Sequence, residues 1–294
     1  MSPPATLGIL HPGRMGTALA GQALRNGHHV LWCPPGRGAD TRERATRAGL
    51  SPVTNLSELV TRAQIIVSVC PPAAAEDVAT AVMDQRYTGI YLDANAISPA
   101  RLLALSRGLT AGGAVVLDGA VFGPPPPPPD ATTTPGRGTT LYLSGPSSAV
   151  STVAAILDGG RLRVVAMDQP PPAASALKIA HTSYQKAARA LAALAHALAD
   201  RYGVTDQLLV EADANSVSPL ADPESLPGVA ARAWRWVPEL RDAAVALQDA
   251  GLPGDLARAA ADVLQRWQAH KDDWHAPLPA LLEELRDDHG GSVP

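Results

Sequence analysis

The run Thr6-Leu7-Gly8-Ile9-Leu10-His11-Pro12-Gly13-Arg14-Met15-Gly16-Thr17 constrains the fold more than any other stretch of the chain. It reads as a short apolar strand that enters a glycine-bearing turn and then a helix over 14–26, which Gly27 ends. Such a turn aims backbone N–H groups and the positive end of a helix dipole at one point, the geometry that holds a dinucleotide pyrophosphate. In the pattern G-x-G-x-x-G the first place is His11, while Gly13 and Gly16 hold the second and third. His11, Pro12, Gly13, Arg14, Met15 and Gly16 are the candidate cofactor loop, with His11 either touching the pyrophosphate or filling space.

The following segments complete that reading. A second strand is expected over 29–33, then a loop, then a helix from Thr41. The end of this strand faces the adenosine ribose, where a carboxylate selects NAD and a cation accommodates the extra phosphate of NADP. No Asp or Glu occurs between Val30 and Ala39, whereas Arg37 and Arg42 follow the strand, so NADP(H) is expected over NAD(H). A strand over 53–56, a helical turn from Ser57 capped by Asn55 or Ser57, and a β-branched strand over 65–70 come next, the last stopping at Pro71-Pro72. Helices over 73–83 and 100–107 then alternate with strands over 89–95 and 114–118. This alternation predicts an α/β Rossmann domain, a doubly wound parallel sheet whose ligands sit beyond the carboxyl ends of its strands. Cys70, Pro71, Asn95 and Ser98 fall at those ends and are candidate cofactor contacts, Cys70 as a small buried residue rather than a nucleophile. Six prolines over 124–129 read as a polyproline II surface insertion, with a flap or a docking ligand as the alternatives. Strands over 139–145 and 162–167 close the domain.

Beyond Pro172 the pattern becomes helical. One alanine-rich helix is expected over 173–202, followed by helices over 227–251, 254–274 and 278–287. The first is apolar on more than one face and must be covered by a second set of helices or by another subunit, and a homodimer is expected. The expected division is therefore a Rossmann domain over 1–167 and an all-α substrate and dimerisation domain over 168–294. A chain with 46% hydrophobic and 18% charged residues and a net charge of −4 has the balance of a soluble globular protein and no basic footprint for nucleic acid or a membrane surface. A small-molecule substrate is the expected partner. Two cysteines, Cys33 and Cys70, build neither a disulfide framework nor a cysteine-rich metal site, and the N-terminus lacks a signal-peptide core, so a cytoplasmic protein without metal is expected. Of the 24 basic residues only Lys178, Lys186 and Lys271 are lysines, so each lysine is a candidate for a role that arginine cannot fill.

The glycine turn, Val69-Cys70-Pro71-Pro72, Asp93-Ala94-Asn95-Ala96-Ile97-Ser98-Pro99 and Lys178 together resemble the β-hydroxyacid dehydrogenase and 6-phosphogluconate dehydrogenase superfamily. Asp118-Gly119-Ala120-Val121-Phe122-Gly123, Leu141-Tyr142-Leu143-Ser144-Gly145, Ala173-Ala174-Ser175-Ala176-Leu177-Lys178 and Ala233-Trp234-Arg235-Trp236-Val237-Pro238-Glu239 resemble the branch with a C-terminal domain of unknown function. The resemblance covers most of the chain. It implies hydride transfer between nicotinamide and a carbonyl or alcohol, with Lys178 as the acid/base and His181 beside it. Thr182 and Gln185 share that helix face at i+4 and i+7 from Lys178, as candidate substrate contacts with Phe122 and Gly123. The chain departs from the superfamily at Thr182, where Asn is usual, at Gln185, where the sugar-phosphate enzymes have a glutamate acid, and at Phe122, where a hydroxyl is usual. These departures argue against decarboxylation and for a bulkier or less polar substrate. An imine reductase is the nearest alternative, although that group usually carries Asp or Tyr in place of Lys178. A non-catalytic NADP(H) sensor docking through its prolines is the alternative from another class.

Overall fold

All four residues of Ile65–Ser68 are buried, as a parallel strand covered on both faces requires. They lie inside an eight-stranded sheet of the computed structural model, which describes residues 3–126, 138–201, 203–214, 222–249 and 253–285. Half of the six-proline run, 127–129, lies outside the described residues. The chain divides into two units, Met1–Lys178 and Ile179–Pro294.

The sheet of the first unit runs β3 (Ser51–Pro52), β2 (His29–Trp32), β1 (Thr6–Ile9), β4 (Ile65–Ser68), β5 (Ile90–Asp93), β6 (Val115–Phe122), β7 (Thr139–Ser144) and β8 (Leu162–Ala166). Its first six strands are parallel in the 3-2-1-4-5-6 order of dinucleotide-binding sheets, with the order reversing between β1 and β4. Side chains alternate between two cores. Leu7, Ile9, Val30, Ile65 and Val67 pack with α1 (Arg14–Arg25), α2 (Ala39–Arg47) and α6 (Ser147–Leu157). Leu31, Ile66 and Tyr91 pack with α3 (Leu56–Arg62), α4 (Ala75–Met83) and α5 (Pro99–Ala111). Burying each Leu or Ile contributes about 1.5–3 kcal/mol, so this two-sided layering is the main stabilisation.

The sheet departs from the sequence expectations in three places. The third strand is Ser51–Pro52 rather than 53–56, because Asn55 caps α3 by accepting from the Glu58 N–H at 2.9 Å and so ends the extended segment early. Strand β6 continues past Asp118 to Phe122, since β7 pairs antiparallel with it from Asp118↔Ser144 to Phe122↔Thr140 and supplies ladder partners. Gly119 does not break it; a Cβ there would meet Leu92 at 2.8 Å, so glycine permits close strand packing. The sheet is thus mixed rather than wholly parallel, β7 and β8 running against the other six.

The second unit takes over the long helix α7 (Ala173–Arg201), which begins in the first unit. It also contains α8 (Thr205–Ala214), α9 (Leu226–Ala230), α10 (Ala233–Asp249), α11 (Asp255–Gln265) and α12 (Leu278–Glu284). The expected helix over 227–251 is broken at Ala231 and Arg232, and α8 had no counterpart in the sequence reading. The expected helix over 254–274 stops at Gln265, where Trp267, fully buried, donates its indole N–H to the Leu281 carbonyl at 2.8 Å and ties α12 to this turn. Two of the three lysines are engaged here: Lys186 pairs with the buried Glu239, and the Lys271 ammonium lies 4.3 Å from the Trp234 ring centre. Among the described residues no helix is long and apolar enough to cross a membrane, and no group of three His, Cys, Asp or Glu side chains could hold a metal.

Candidate active site

The turn after β1 is built around Gly16. A Cβ at Gly16 would collide with the backbone oxygen of His11, so only glycine lets α1 start this close to the strand. Gly13 differs: it has an ordinary φ of −68° and nothing within 4 Å of where a Cβ would stand. It caps α1 without a side chain, and the helix has no acidic residue in its first turn, so no side chain of that turn competes with an anion for its N–H groups and dipole. These features fit a pyrophosphate.

Arginines brace this turn from the β2 side. Arg37 donates to the Leu10 carbonyl at 3.1 Å, Arg44 to the Pro12 carbonyl at 3.2 Å and Arg42 to the Arg37 carbonyl at 2.9 Å. Arg44 was not singled out from the sequence, because nothing local shows that the α2 helix leans over the turn. Burial, and then the Arg37 charge, lower the His11 pKa to about 4, so this imidazole is neutral at pH 7. Among the described residues, His11 Nδ1 and Arg37 Nε are buried with no hydrogen-bond partner. Arg14 is exposed and Met15 half-buried at the helix start.

The neighbouring strand ends form a fixed polar floor. Asn95, 2% exposed, accepts from the Cys70 N–H at 2.7 Å and donates to Ser68 Oγ at 3.0 Å and Asp93 Oδ2 at 2.9 Å. Ser98 caps α5 by accepting from the Arg101 N–H at 3.3 Å. Both side chains are therefore engaged in holding the loops, and Pro71 is exposed beside them. Burial pushes the Cys70 thiol up to about 11, which excludes a thiolate nucleophile at neutral pH.

Strand register lines up Ser68, Asp93, Asp118 and Ser144 across β4 to β7, each no more than 1% exposed. Burial, reinforced by Asp118 and Glu76, raises the Asp93 carboxyl to about 7 against the donors of Asn95. A folded-state pKa above the unfolded value of 3.8 gives stability that is fully present below pH ~4 and lost as pH rises through about 7. Asp93→Asn removes this titration. In urea unfolding the wild type is expected to lose stability relative to the variant between pH 5 and pH 8, by up to several kcal/mol; parallel pH curves for the two proteins would refute the assignment.

Asp118 holds the start of α7. It accepts from Ala174 N–H at 2.9 Å, from Ser175 N–H at 3.1 Å, from Ser175 Oγ at 2.6 Å and from Ser144 Oγ at 3.0 Å. Burial still lifts its carboxyl above the ordinary range, with these donors opposing the shift. One turn further along α7, Lys178 Nζ donates to the Val121 carbonyl at 2.7 Å and lies 4.7 Å from the Phe122 ring centre. Phe122 in turn meets Tyr142 edge-on at 5.5 Å. Because Asp118 is the register partner of the last residue of β5, residues 119–122 overhang the β5 end. At about 3.3 Å per residue that overhang is roughly 13 Å long. Phe122, with Lys178 against it, thus lies past the carboxyl end of β5, in the direction in which the β1 carboxyl end leads into the glycine turn. Gly123, with φ +100°, turns the chain where a Cβ would meet the Gly138 carbonyl at 2.7 Å, so its glycine has a backbone reason independent of any ligand.

The remaining sequence candidates lie in the second unit. On α7, Thr182 is buried at 4% exposure, whereas His181 and Gln185 are exposed, and Arg189 donates to the Gln185 side chain at 3.3 Å. The sequence reading missed Asp93, Ser144 and Ser175 as site elements. A carboxylate closing an apolar run, as in Tyr91-Leu92-Asp93 and Val116-Leu117-Asp118, was the available signal.

Residues 6–96 match the family described as NADP oxidoreductase, coenzyme F420-dependent, and residues 199–267 match a domain of unknown function, DUF1932. No curated protein sequence matches the chain. Among solved structures, Mycobacterium tuberculosis 3-hydroxyisobutyrate dehydrogenase is similar with a TM-score of 0.71 at 18% identity over 97% of this chain and 100% of the other. The 3-hydroxyisobutyrate dehydrogenase of Salmonella typhimurium gives 0.69 at 19% identity, over 95% and 99% of the two chains. An imine reductase of Streptomyces aurantiacus gives 0.56 at 18% identity, over 96% and 99%. The chain therefore joins an N-terminal region similar to the NADP-oxidoreductase family to a DUF1932 region, on the fold shared by 3-hydroxyacid dehydrogenases and imine reductases.

Proposed function

We propose that the chain is an NADPH-dependent reductase acting on the carbonyl of an apolar substrate, or on the corresponding alcohol in reverse. The observation that carries this reading is the Lys178 ammonium, fixed at 2.7 Å from the Val121 carbonyl on the strand overhang. A nicotinamide cofactor, held by the turn around Gly13 and Gly16, would supply or accept the hydride. Lys178 supplies the proton: an alkoxide forming at the substrate oxygen is stabilised by an adjacent ammonium, which then donates to it. Phe122 and Tyr142 offer an aromatic wall beside that ammonium, where the superfamily pattern has a hydroxyl, and this favours a substrate without a carboxylate at that place. His181, Thr182 and Gln185 are assigned to the substrate side of α7 on helical spacing.

For the cofactor, the loop around Gly13 and Gly16 is assigned to the pyrophosphate. Arg37 and Arg42, joined by Arg44, are assigned to the 2′-phosphate, since no carboxylate follows β2 before Asp40. An arginine–phosphate contact is worth about 1.5–3 kcal/mol, so NADPH is expected to bind at least about tenfold more tightly than NADH. Fluorescence titration checks this; Arg42→Ala should narrow the preference, and equal affinities in the wild type would sink the NADP assignment. Turnover is read as NADPH consumption across ketones and aldehydes of graded polarity, with the apolar members expected to react.

Imine reduction is the second reading. It is favoured by the fold shared with the Streptomyces imine reductase and with an Aspergillus terreus reductive aminase in complex with NADPH4, cyclohexanone and allyl amine, TM-score 0.55 at 17% identity. Turnover of cyclic imines that survives Lys178→Met would replace the first reading with this one.

A further inference from the structure

The first turn of α7 has an accounting that ends on one side chain. Ala173 N–H goes to the Pro170 carbonyl at 3.2 Å and Ala176 N–H to the Pro172 carbonyl at 2.9 Å. The two amides between them, Ala174 and Ser175, both go to Asp118, 56 and 57 residues earlier in the chain. Pro172, which precedes the helix, has no side chain that can cap it. A helix normally takes its cap from its own N-cap residue, so a buried carboxylate brought in from a distant strand does this work here.

That carboxylate is itself fixed. Asp118 lies inside β6, in the end pair of the β6–β7 ladder opposite Ser144, whose hydroxyl donates to it at 3.0 Å. The same strand presents the Val121 carbonyl three residues later, and the same helix presents Lys178 three residues after Ser175. Two anchors therefore join one strand to one helix: Asp118 to the helix N-terminus, and Val121 to the lysine. We infer that Asp118 is a positioning residue, which sets the height and rotation of α7 on β6 and thereby holds the Lys178 ammonium at its place past the carboxyl end of β5. The inference rests on the proposed acid/base role of Lys178 for its effect on turnover, but not for its effect on the helix.

Asp118→Asn keeps the volume and tests the charge and the second acceptor. Asparagine offers one oxygen, and its amide group would oppose one of the two helix N–H donors. In the full chain, hydrogen exchange at Ala174 and Ser175 is expected to accelerate by about fivefold to thirtyfold, as a cap worth about 1–2 kcal/mol implies. A displacement of about 1 Å at a reacting group costs on the order of a hundredfold in kcat. Such a fall is expected with the NADPH dissociation constant and the substrate KM nearly unchanged, a split that general destabilisation would not give. Ser175→Ala, which retains both carboxylate oxygens and the backbone donors, should move kcat and the Ala174 exchange in the same direction by a smaller factor, and it serves if Asp118→Asn does not fold.

Unaltered exchange at Ala174 and Ser175, or a loss confined to KM, overturns the inference. Lys178→Met separates the two ideas. An inactive Lys178→Met beside a fully active Asp118→Asn removes the positioning role and leaves the lysine standing. A fully active Lys178→Met removes the lysine's role, and the exchange result then decides the helix anchor by itself.

Discussion

Lys178→Met is expected to lower kcat for carbonyl reduction about a thousandfold, the middle of the range for loss of a general acid, while the protein stays folded. The side chain it replaces donates a hydrogen bond to the Val121 carbonyl and covers the Phe122 ring. Methionine has nearly the same length, and its sulfur packs well on an aromatic face, so the hydrophobic part of the contact is kept. What goes is the charge and the proton. Binding of NADPH should change by no more than about twofold, because the glycine turn and its arginines are built from other elements and distant sites act nearly independently. Lys178→Arg is an informative companion: a guanidinium keeps the positive charge but does not give up a proton near neutral pH. It should recover little activity if the lysine moves a proton and much of it if the charge alone matters. Stopped-flow comparison of cofactor binding and steady-state turnover for both variants decides between these outcomes, and wild-type kcat in Lys178→Met would end the acid/base proposal.

The parts of this site that were legible in the sequence are those written in consecutive residues. The glycine turn, the β-branched run of β4, the Asn55 cap and the long helix each follow from local periodicity and turn chemistry, and each stands near its expected place. What was not legible depends on partners far away in the chain. Gly119 looks like a strand terminator until Leu92 and the Asp93 carbonyl are seen closing on it from β5. Asp118 looks like a loop residue at a strand end until β7 pairs with it and the amides of α7 reach it across more than fifty positions. Arg44 reads as one solvated helix residue among several until its guanidinium is found on the Pro12 carbonyl. In the helical half the sequence between Pro227 and Gly251 carries no glycine or proline at Ala231 and Arg232, so it does not reveal the turn that separates α9 from α10 there. Local rules thus located the glycine turn, whereas the setting of the lysine is a property of the assembled sheet.

Two glycine substitutions, three residues apart, should fail in opposite ways. At Gly16 an added methyl would fall on the His11 backbone oxygen, which cannot rotate away as a side-chain tip could. Gly16→Ala must therefore push α1 off β1, at a cost of about 1–3 kcal/mol for an overpacked contact, and the melting temperature should drop. At Gly13 the backbone is already in a conformation open to any residue, and nothing stands within 4 Å of the added methyl. The poorer helix cap and the reduced freedom of the unfolded chain are each worth well under about 1 kcal/mol and oppose one another, so the melting temperature should hardly move. The methyl would nevertheless occupy the space in front of the α1 N-terminus, where a pyrophosphate must come within hydrogen-bond reach of the backbone. Gly13→Ala should accordingly weaken NADPH about tenfold to a hundredfold, or 1.4–2.8 kcal/mol, with stability intact. Thermal unfolding without cofactor and titration with it, applied to both variants, give the answer. A stable Gly13→Ala protein that binds NADPH as the wild type does would mean that the pyrophosphate does not sit on this turn.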